Sequence, residues 1–126
     1  GSLKVDNLEE IWNAKYKEYL GVKVPDAKHG ILQDIHWSHG SIGYFPTYSL
    51  GSFYAAQFFQ QAEKEIPNLL HEIESDNNQL LLDWLRTNIH QHGQYYNAEE
   101  LCKKLTGEKL NFKYFMKYAR KKFGGI

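Results

Sequence analysis

The chain has 126 residues, with 15 basic and 15 acidic side chains, so its formal net charge is zero. That length is enough for one compact domain with a modest core. The balanced charge argues against a nucleic-acid or anionic-membrane partner, and no stretch is apolar for long enough to span a bilayer. A single cysteine, Cys102, excludes an internal disulfide and indicates a reducing compartment, so we expect a cytoplasmic protein.

The chain opens with Gly1-Ser2 rather than methionine. This pair is typical of the scar that a protease leaves when a tag is removed, and we exclude it from the fold. We expect residues 3–126 to form one helical domain that was cut from a longer protein. Its composition, 42% hydrophobic and 24% charged, is ordinary for a globular domain, while the 15% aromatic content is high.

The pattern predicts an all-α domain of about six helices. The first has a capping box, Asn7 with Glu10, and ends at Gly21. Apolar residues four apart predict a helix over Ser49–Ile66. Four shorter helices follow. The first covers residues 68–74, and the second starts at a cap formed by Asp76 with Gln79 and stops before Gly93. The third starts at a capping box of Asn97 with Glu100 and ends at Gly107, and the fourth is capped by Asn111. The apolar side chains expected to point inward from the last and third-last helices are Leu80, Leu81, Trp84, Leu85, Ile89, Phe112, Phe115, Met116, Ala119 and Phe123.

The segment Gly30–Gly51 has no regular hydrophobic period. It places polar and aromatic side chains between glycines and Pro46. We predict a short helical turn around Leu32–Trp37, followed by an ordered loop or a short hairpin. The residues alone leave two interpretations open: a buried aromatic loop with its polar atoms satisfied internally, or the wall of an active site.

The active-site interpretation gives specific chemistry to this segment. Tyr44 and Tyr48 are four residues apart, and in a helix both hydroxyls would point to one side. A tyrosine hydroxyl can donate a hydrogen bond to a developing oxyanion. His36 can donate or relay a proton, and Asp34 or Gln33 can orient a neighbouring imidazole.

Other catalytic patterns are incomplete. His71-Glu72-Ile73-Glu74-Ser75 begins like the HExxH zinc motif, but Ser75 stands where the second histidine is required. The pairs His36/His39 and His90/His92 lack an obvious third ligand, so we expect no metal site within this chain. Ser38 and Ser41 flank His39 without a nucleophile elbow, and Cys102 is predicted to be a small core residue.

The same segment resembles the M32 family of metallocarboxypeptidases, which carries a motif of the form G-x-x-Q-D-x-H-W. Gly30, Gln33, Asp34, His36 and Trp37 match all five fixed positions. Further similar stretches are Gly43–Tyr48, Ala55–Gln57, Trp84–Arg86, His90, Gly93, Tyr95 and Thr106–Glu108. The resemblance covers nearly all of the chain beyond Gly1-Ser2.

This resemblance implies that the chain is the C-terminal part of a larger helical zinc peptidase. The HExxH helix and the third zinc ligand would lie upstream, so zinc would be held by the longer protein and the chain alone would be inactive. The parent would remove C-terminal amino acids from peptides, and the family often forms homodimers. Tyr44 and His36 would be the catalytic residues, with Tyr44 as the transition-state hydrogen-bond donor and His36 as a neighbour that contacts the substrate or the oxyanion. Tyr48, Trp37, Gln33 and Asp34 would form the substrate-binding part of the site, in which Gln33 and Asp34 brace the loop.

An alternative of another class is a non-catalytic helical module whose aromatic loop binds a partner protein or peptide. The high aromatic content also fits this alternative. An HExxH motif upstream of residue 3 in the parent gene would favour the peptidase, and its absence would favour the module.

Overall fold

A computed structural model of the protein describes residues 3–124, so Gly1 and Ser2, assigned above to a tag scar, lie outside the described residues. Six α-helices follow one another: α1 Leu8–Leu20, α2 Thr47–Glu65, α3 Leu69–Glu74, α4 Gln79–Asn88, α5 Ala98–Thr106 and α6 Lys113–Phe123. No strand occurs between residues 3 and 124. The all-α prediction with six helices is therefore confirmed, and no helix in this range is long and apolar enough to cross a membrane.

The chain divides into two compact units, Gly1–Pro46 and Thr47–Ile126. The first contains α1 and four 3-10 turns, Val5–Asn7, Ala27–His29, Ile31–Gln33 and Ile35–His39. The second contains α2 to α6 and the 3-10 turn His90–His92.

The ends of α1 follow the sequence signals only in part. Gly21 ends the helix as predicted, in the left-handed conformation (φ +67°), and its N–H donates to the Lys17 carbonyl at 3.1 Å. The capping box predicted for Asn7 and Glu10 is wrong, because the Asn7 side chain makes no capping hydrogen bond. Asn7 belongs to the preceding 3-10 turn (φ −104°, ψ 2°) and lacks the extended backbone that N-cap residues typically adopt.

Two 3-10 turns form the segment that was predicted as one helical turn around Leu32–Trp37. The turns are Ile31–Gln33 and Ile35–His39, and Asp34 lies between them. Gly40 ends the second turn in the left-handed conformation, with φ +83°. The segment begins at Gly30, where an added Cβ would lie 2.5 Å from Val24 Cγ1 and 3.2 Å from Asn13 Oδ1. Glycine is needed there because the backbone passes so close to Val24 and α1. Residues 40–46 form turns rather than the alternative hairpin.

The core of the second unit lies between α2, α3 and α4. Its buried residues are Ala62, Ile66, Leu69 and Trp84, and the partly buried residues packed against them are Phe59, Ile73, Leu81, Leu85, Ile89 and Leu105. Four of the five side chains predicted to point inward from the α4 region therefore belong to this core. The exception is Leu80, which is 45% exposed in the first turn of α4.

Capping separates correct from wrong predictions for the later helices. Asn97 Oδ1 accepts from the Glu100 N–H at 2.9 Å, and Glu100 Oε2 accepts from the Asn97 N–H at 3.1 Å, so the α5 capping box is confirmed. The Asp76 cap is wrong, because Asp76 lies in a left-handed turn (φ +59°) and α4 starts only at Gln79. Asn111 Oδ1 accepts from the Lys113 N–H at 3.0 Å. The predicted Asn111 cap is nevertheless wrong, because Phe112 is the residue at the N-cap of α6 and makes no side-chain capping hydrogen bond.

Helix α6 is less buried than its apolar spacing predicted. None of its residues is buried, and Phe112 and Phe123 are exposed rather than inward. Phe112 instead packs edge-on against Phe53 of α2, with ring centroids 4.9 Å apart, and Phe115 makes the same kind of contact with Phe53. Edge-to-face contacts between aromatic rings, rather than a buried row of apolar side chains, hold α6 against α2.

A buried polar network joins α2 to the α5–α6 loop. The Gln57 side chain is 1% exposed; its Nε2 donates to Thr106 Oγ1 (2.9 Å) and to the Lys109 carbonyl (3.2 Å), and its Oε1 accepts from the Asn111 N–H (2.9 Å). The loop backbone thus finds its hydrogen-bond partners in a helix side chain, which positions the start of α6.

Glu108 fixes the other side of the same loop. Its carboxylate accepts from the Tyr114 hydroxyl, from Lys113 Nζ at 2.9 Å and from Asn111 Nδ2 at 3.1 Å. These donors, with Tyr114 first, lower the pKa of Glu108 to about 2.

Candidate functional site: the His36 cluster

The candidate site is built around His36 in the first unit, and its ring orientation is fixed by Asp34. Asp34 is 7% exposed; its Oδ1 accepts from the His36 backbone N–H at 3.2 Å and lies 2.8 Å from the ring Nδ1. A carboxylate can only accept, so Nδ1 carries the hydrogen. The Nε2 atom is then an acceptor in the neutral ring and a donor in the protonated one. This is how a carboxylate commonly orients a functional imidazole.

Two aromatic rings from the following loop contact the imidazole. The Tyr44 ring lies 4.9 Å from that of His36 and the Phe45 ring 5.4 Å, both tilted. His39 approaches edge-on at 5.9 Å, and its Nδ1 lies 3.1 Å from Ser41 Oγ. We call Asp34, His36, His39, Tyr44 and Phe45 the His36 cluster. It combines an oriented imidazole with a half-exposed phenol, a pair that can bind and stabilise a polar group of a ligand.

The other residues of the motif hold the segment in place. Gln33 is exposed, and its Nε2 donates to the Lys28 carbonyl, which links two successive 3-10 turns. Trp37 packs edge-on against Trp12 of α1, with ring centroids 6.4 Å apart. The Gln33 side chain thus stabilises the turns on either side of Gly30, and the Trp37 ring packs against α1.

Tyr48 does not share a helix with Tyr44. Helix α2 begins at Thr47, so Tyr48 is in its first turn, while Tyr44 lies in the turns that precede the helix. The condition under which both hydroxyls would point to one side, a single helix over Tyr44 and Tyr48, is therefore not met. Tyr48 belongs to the second unit and is 59% exposed.

The alternative chemistries find no support in the geometry. Residues 3–124 contain no group of three or more His, Cys, Asp or Glu side chains placed to hold a metal ion, so they do not fit a metal centre. Helix α3 ends at its C-cap Ser75 in the HExxH-like stretch, and Glu72 accepts a hydrogen bond from the Asn77 side chain.

The residues considered as nucleophiles have structural contacts of their own. Ser38 Oγ donates to the Ile35 carbonyl at 2.7 Å. Cys102 is buried, as predicted, and burial raises the pKa of its thiol, so it is a poor nucleophile.

Two features of the structure were not anticipated from the residue pattern. Phe45 was not named as a site residue, although its ring contacts His36. Gln57 was not named as a core residue, because a polar side chain does not contribute to an apolar stripe. The available signal for Gln57 was its place in the Ala55–Gln57 stretch that resembles the M32 family.

Comparison with known proteins identifies the family. The family model described as carboxypeptidase Taq (M32) metallopeptidase matches residues 1–123. The chain belongs to the M32 metallopeptidase family. It is 42% identical over 126 residues to thermostable carboxypeptidase 1 of Thermus thermophilus, covering all of this chain and 25% of that protein.

Solved structures agree with this assignment. A structure described as that of CHT matches with a TM-score of 0.93 and 57% identity, covering 98% of this chain and 25% of its own. The M32 carboxypeptidase from Deinococcus radiodurans R1 matches with a TM-score of 0.91 and 37% identity over the same shares of both chains. The chain therefore spans about a quarter of the length of the relatives that it matches.

Proposed function

We propose that residues 3–126 are the C-terminal helical domain of an M32 metallocarboxypeptidase that removes C-terminal amino acids from peptides. The M32 match over residues 1–123 supports the reaction class. The His36 cluster supports the role of this domain, because it presents an oriented imidazole and a phenol together. In this proposal the domain lines the substrate groove, and the rest of the longer protein supplies the metal centre.

Tyr44 is proposed to donate its hydroxyl hydrogen to the oxygen that becomes negative as the peptide bond is attacked. Its ring contacts His36, whose Nδ1 is held by the buried Asp34, so both side chains are anchored before substrate arrives. Preorganised donors of this kind stabilise the transition state more than the bound substrate. Tyr48 and Trp37 are proposed to contact the peptide.

We propose zinc as the metal of the longer protein, held by residues outside this chain. A catalytic zinc ion polarises a carbonyl and generates a nucleophilic hydroxide. The single, buried Cys102 supports a reducing, cytoplasmic location.

The proposed role of Tyr44 can be tested in a hybrid enzyme. The matched quarter of the Deinococcus radiodurans carboxypeptidase is replaced by residues 3–124 of this chain, and hydrolysis of a blocked dipeptide is measured. We expect an active hybrid in which Tyr44→Phe lowers kcat about 100- to 1000-fold with KM little changed. Tyr95→Phe is the matched control, since Tyr95 is 82% exposed and distant in sequence from the His36 cluster.

An unchanged kcat in the Tyr44→Phe hybrid would remove Tyr44 from the catalytic residues. The 126-residue chain itself is assayed beside the hybrid, with added zinc. We expect no turnover by the chain alone, and turnover that a chelator abolishes would contradict the proposal that the metal centre lies elsewhere. A correctly folded hybrid without activity would favour the interaction-module alternative.

A further inference from the structure

An open cleft of about 870 Å³ lies between α2 and α6 in the second unit. Helix α2 contributes the small side chains Ser52, Ala55 and Ala56 to the cleft, together with larger ones such as Gln60 and Glu63. We call its apolar lining residues Phe59, Leu70 and Phe115 the floor. The small residues are spaced three and four apart on one face of α2, which allows another helix to approach closely.

The rim of the cleft along α6 is cationic. Lys117, Lys121 and Lys122 line it, whereas Glu63 is the one acidic lining residue. Within residues 3–124, the ion pair made by α6 joins Lys113 to Glu108, and Lys117 and Lys121 form none. Helix α6 contains five basic residues and no acidic residue, although the whole chain is neutral. Three lysines and one glutamate line the cleft, so its lining carries a net positive charge that carboxylates on a bound partner would complement.

The dimensions of the cleft fit a helix. Ser52 and Glu63 mark its two ends along α2, and a separation of 11 residues corresponds to about 16 Å at the rise of an α-helix, or about three turns. A partner with aliphatic side chains on one face would fill the apolar floor, and acidic side chains flanking that face would meet the lysines.

We propose that this cleft is the docking site for an acidic amphipathic helix from the rest of the longer M32 protein. The source follows from the comparison: the Deinococcus radiodurans carboxypeptidase contains this fold with a TM-score of 0.91, and the matched region is only 25% of its chain. About three quarters of such a protein therefore lies outside the matched region and contains the proposed helix. The inference rests on the proposed function only in taking the chain as part of a longer M32 protein.

The test uses the 126-residue chain and a fluorescein-labelled synthetic helix of about 14 residues, about four turns, with leucines on one face and glutamates beside them. Binding is followed by fluorescence anisotropy. We expect the acidic peptide to bind, to weaken as salt is raised, and to lose about tenfold in affinity when Lys117→Glu and Lys121→Glu are combined. The matched control combines Lys103→Glu and Lys104→Glu on α5, which changes net charge equally and should leave binding unchanged.

Two further measurements test whether the peptide occupies the cleft itself and whether the natural occupant comes from the rest of the longer protein. Ala55→Trp, which fills the cleft from an exposed position, should abolish binding without changing the thermal midpoint. The intact Deinococcus radiodurans carboxypeptidase should not bind the peptide, because its own helix fills the corresponding cleft.

Several results would overturn the proposal. These are no binding of the acidic peptide, equal binding of a peptide with lysines in place of the glutamates, or full affinity after the α6 charge reversal. Binding of the peptide by the intact relative would show that the cleft stays open to a separate partner. A preference for phosphatidylserine vesicles, or a concentration-dependent dimer that Ala55→Trp dissociates, would assign the cleft to a membrane or to a second copy. None of these readouts uses peptidase activity, so they are independent of the proposed reaction.

Discussion

Replacing Gln57 by leucine should strongly destabilise the second unit, although leucine is similar in size. The substitution leaves no large cavity, so its effect comes from hydrogen bonds. It removes all three bonds made by the Gln57 side chain and leaves the Asn111 N–H and the Lys109 carbonyl without their partner. Thr106 Oγ1 is affected less, because it also bonds to the carbonyls of Cys102 and Glu108.

The magnitude follows from the two backbone groups. A buried group left without a hydrogen bond costs about 1–3 kcal/mol. The loop residues here are partly exposed, so we take the lower part of that range and expect a loss of about 2–3 kcal/mol in the free energy of unfolding. With a urea slope of about 1 kcal/mol/M, the unfolding midpoint should fall by about 2–3 M.

Urea unfolding followed by circular dichroism at 222 nm measures this change. Gln79→Leu is the matched control, since Gln79 is exposed and its side chain makes one hydrogen bond, to Asp83 at 2.8 Å. Its effect should stay within about 0.5 kcal/mol. If Gln57→Leu also stays within that limit, the hydrogen bonds of Gln57 do not hold the α5–α6 loop in place.

Three further predictions concern single features of the structure. The pKa of Glu108 is lowered to about 2, so the ionised carboxylate stabilises the folded chain fully above the ordinary pKa of 4.5, and this stabilisation is lost as pH falls towards 2. In Glu108→Gln the thermal midpoint should therefore fall less steeply between these pH values. A profile equal to that of the unmodified chain would contradict the role of the Glu108 hydrogen bonds. Gly30→Ala should destabilise the first unit by about 1–3 kcal/mol, because the new Cβ would lie too close to the Val24 side chain. Gly51→Ala is the control: nothing lies within 4 Å of its new Cβ, so calorimetry should show an unchanged or higher stability. Cys102 should react with a thiol reagent slowly in the folded chain and rapidly in urea, and fast modification of the folded chain would contradict its burial.

The two Asn-x-x-Glu signatures show how far local sequence determines local structure. Asn97 has an extended backbone (φ −70°, ψ 166°) and completes a capping box with Glu100. Asn7 carries the same signature, but a 3-10 turn precedes α1 and changes its backbone, so the box does not form. Sequence predicts that a helix starts near such a residue, while the preceding chain decides whether the cap forms.

The candidate site shows the same division. The residue types left Asp34 and Gln33 as the groups that could orient an imidazole. The structure places Asp34 against His36, a contact that residues two apart can make locally, whereas Gln33 bonds to the Lys28 carbonyl. The position of Tyr44 could not be obtained from spacing, because the turns at 40–46 rather than a helix carry it to His36. Gln57 was missed for a related reason: its partners are 49–54 residues away, and helical periodicity contains no information on such distant contacts.

The three tryptophans give each unit its own optical label. Trp12 and Trp37 form an edge-on pair in the first unit, close enough for their excited states to couple. Trp84 in the second unit donates its indole N–H to Glu65 at 2.6 Å, which places a negative charge beside the ring. Trp84 thus contributes an emission that depends on the second unit, and the Trp12–Trp37 pair contributes near-ultraviolet dichroism that depends on the first. Each half of the chain therefore contributes tryptophan signals of its own, and a Trp84→Phe variant would leave only those of the first unit.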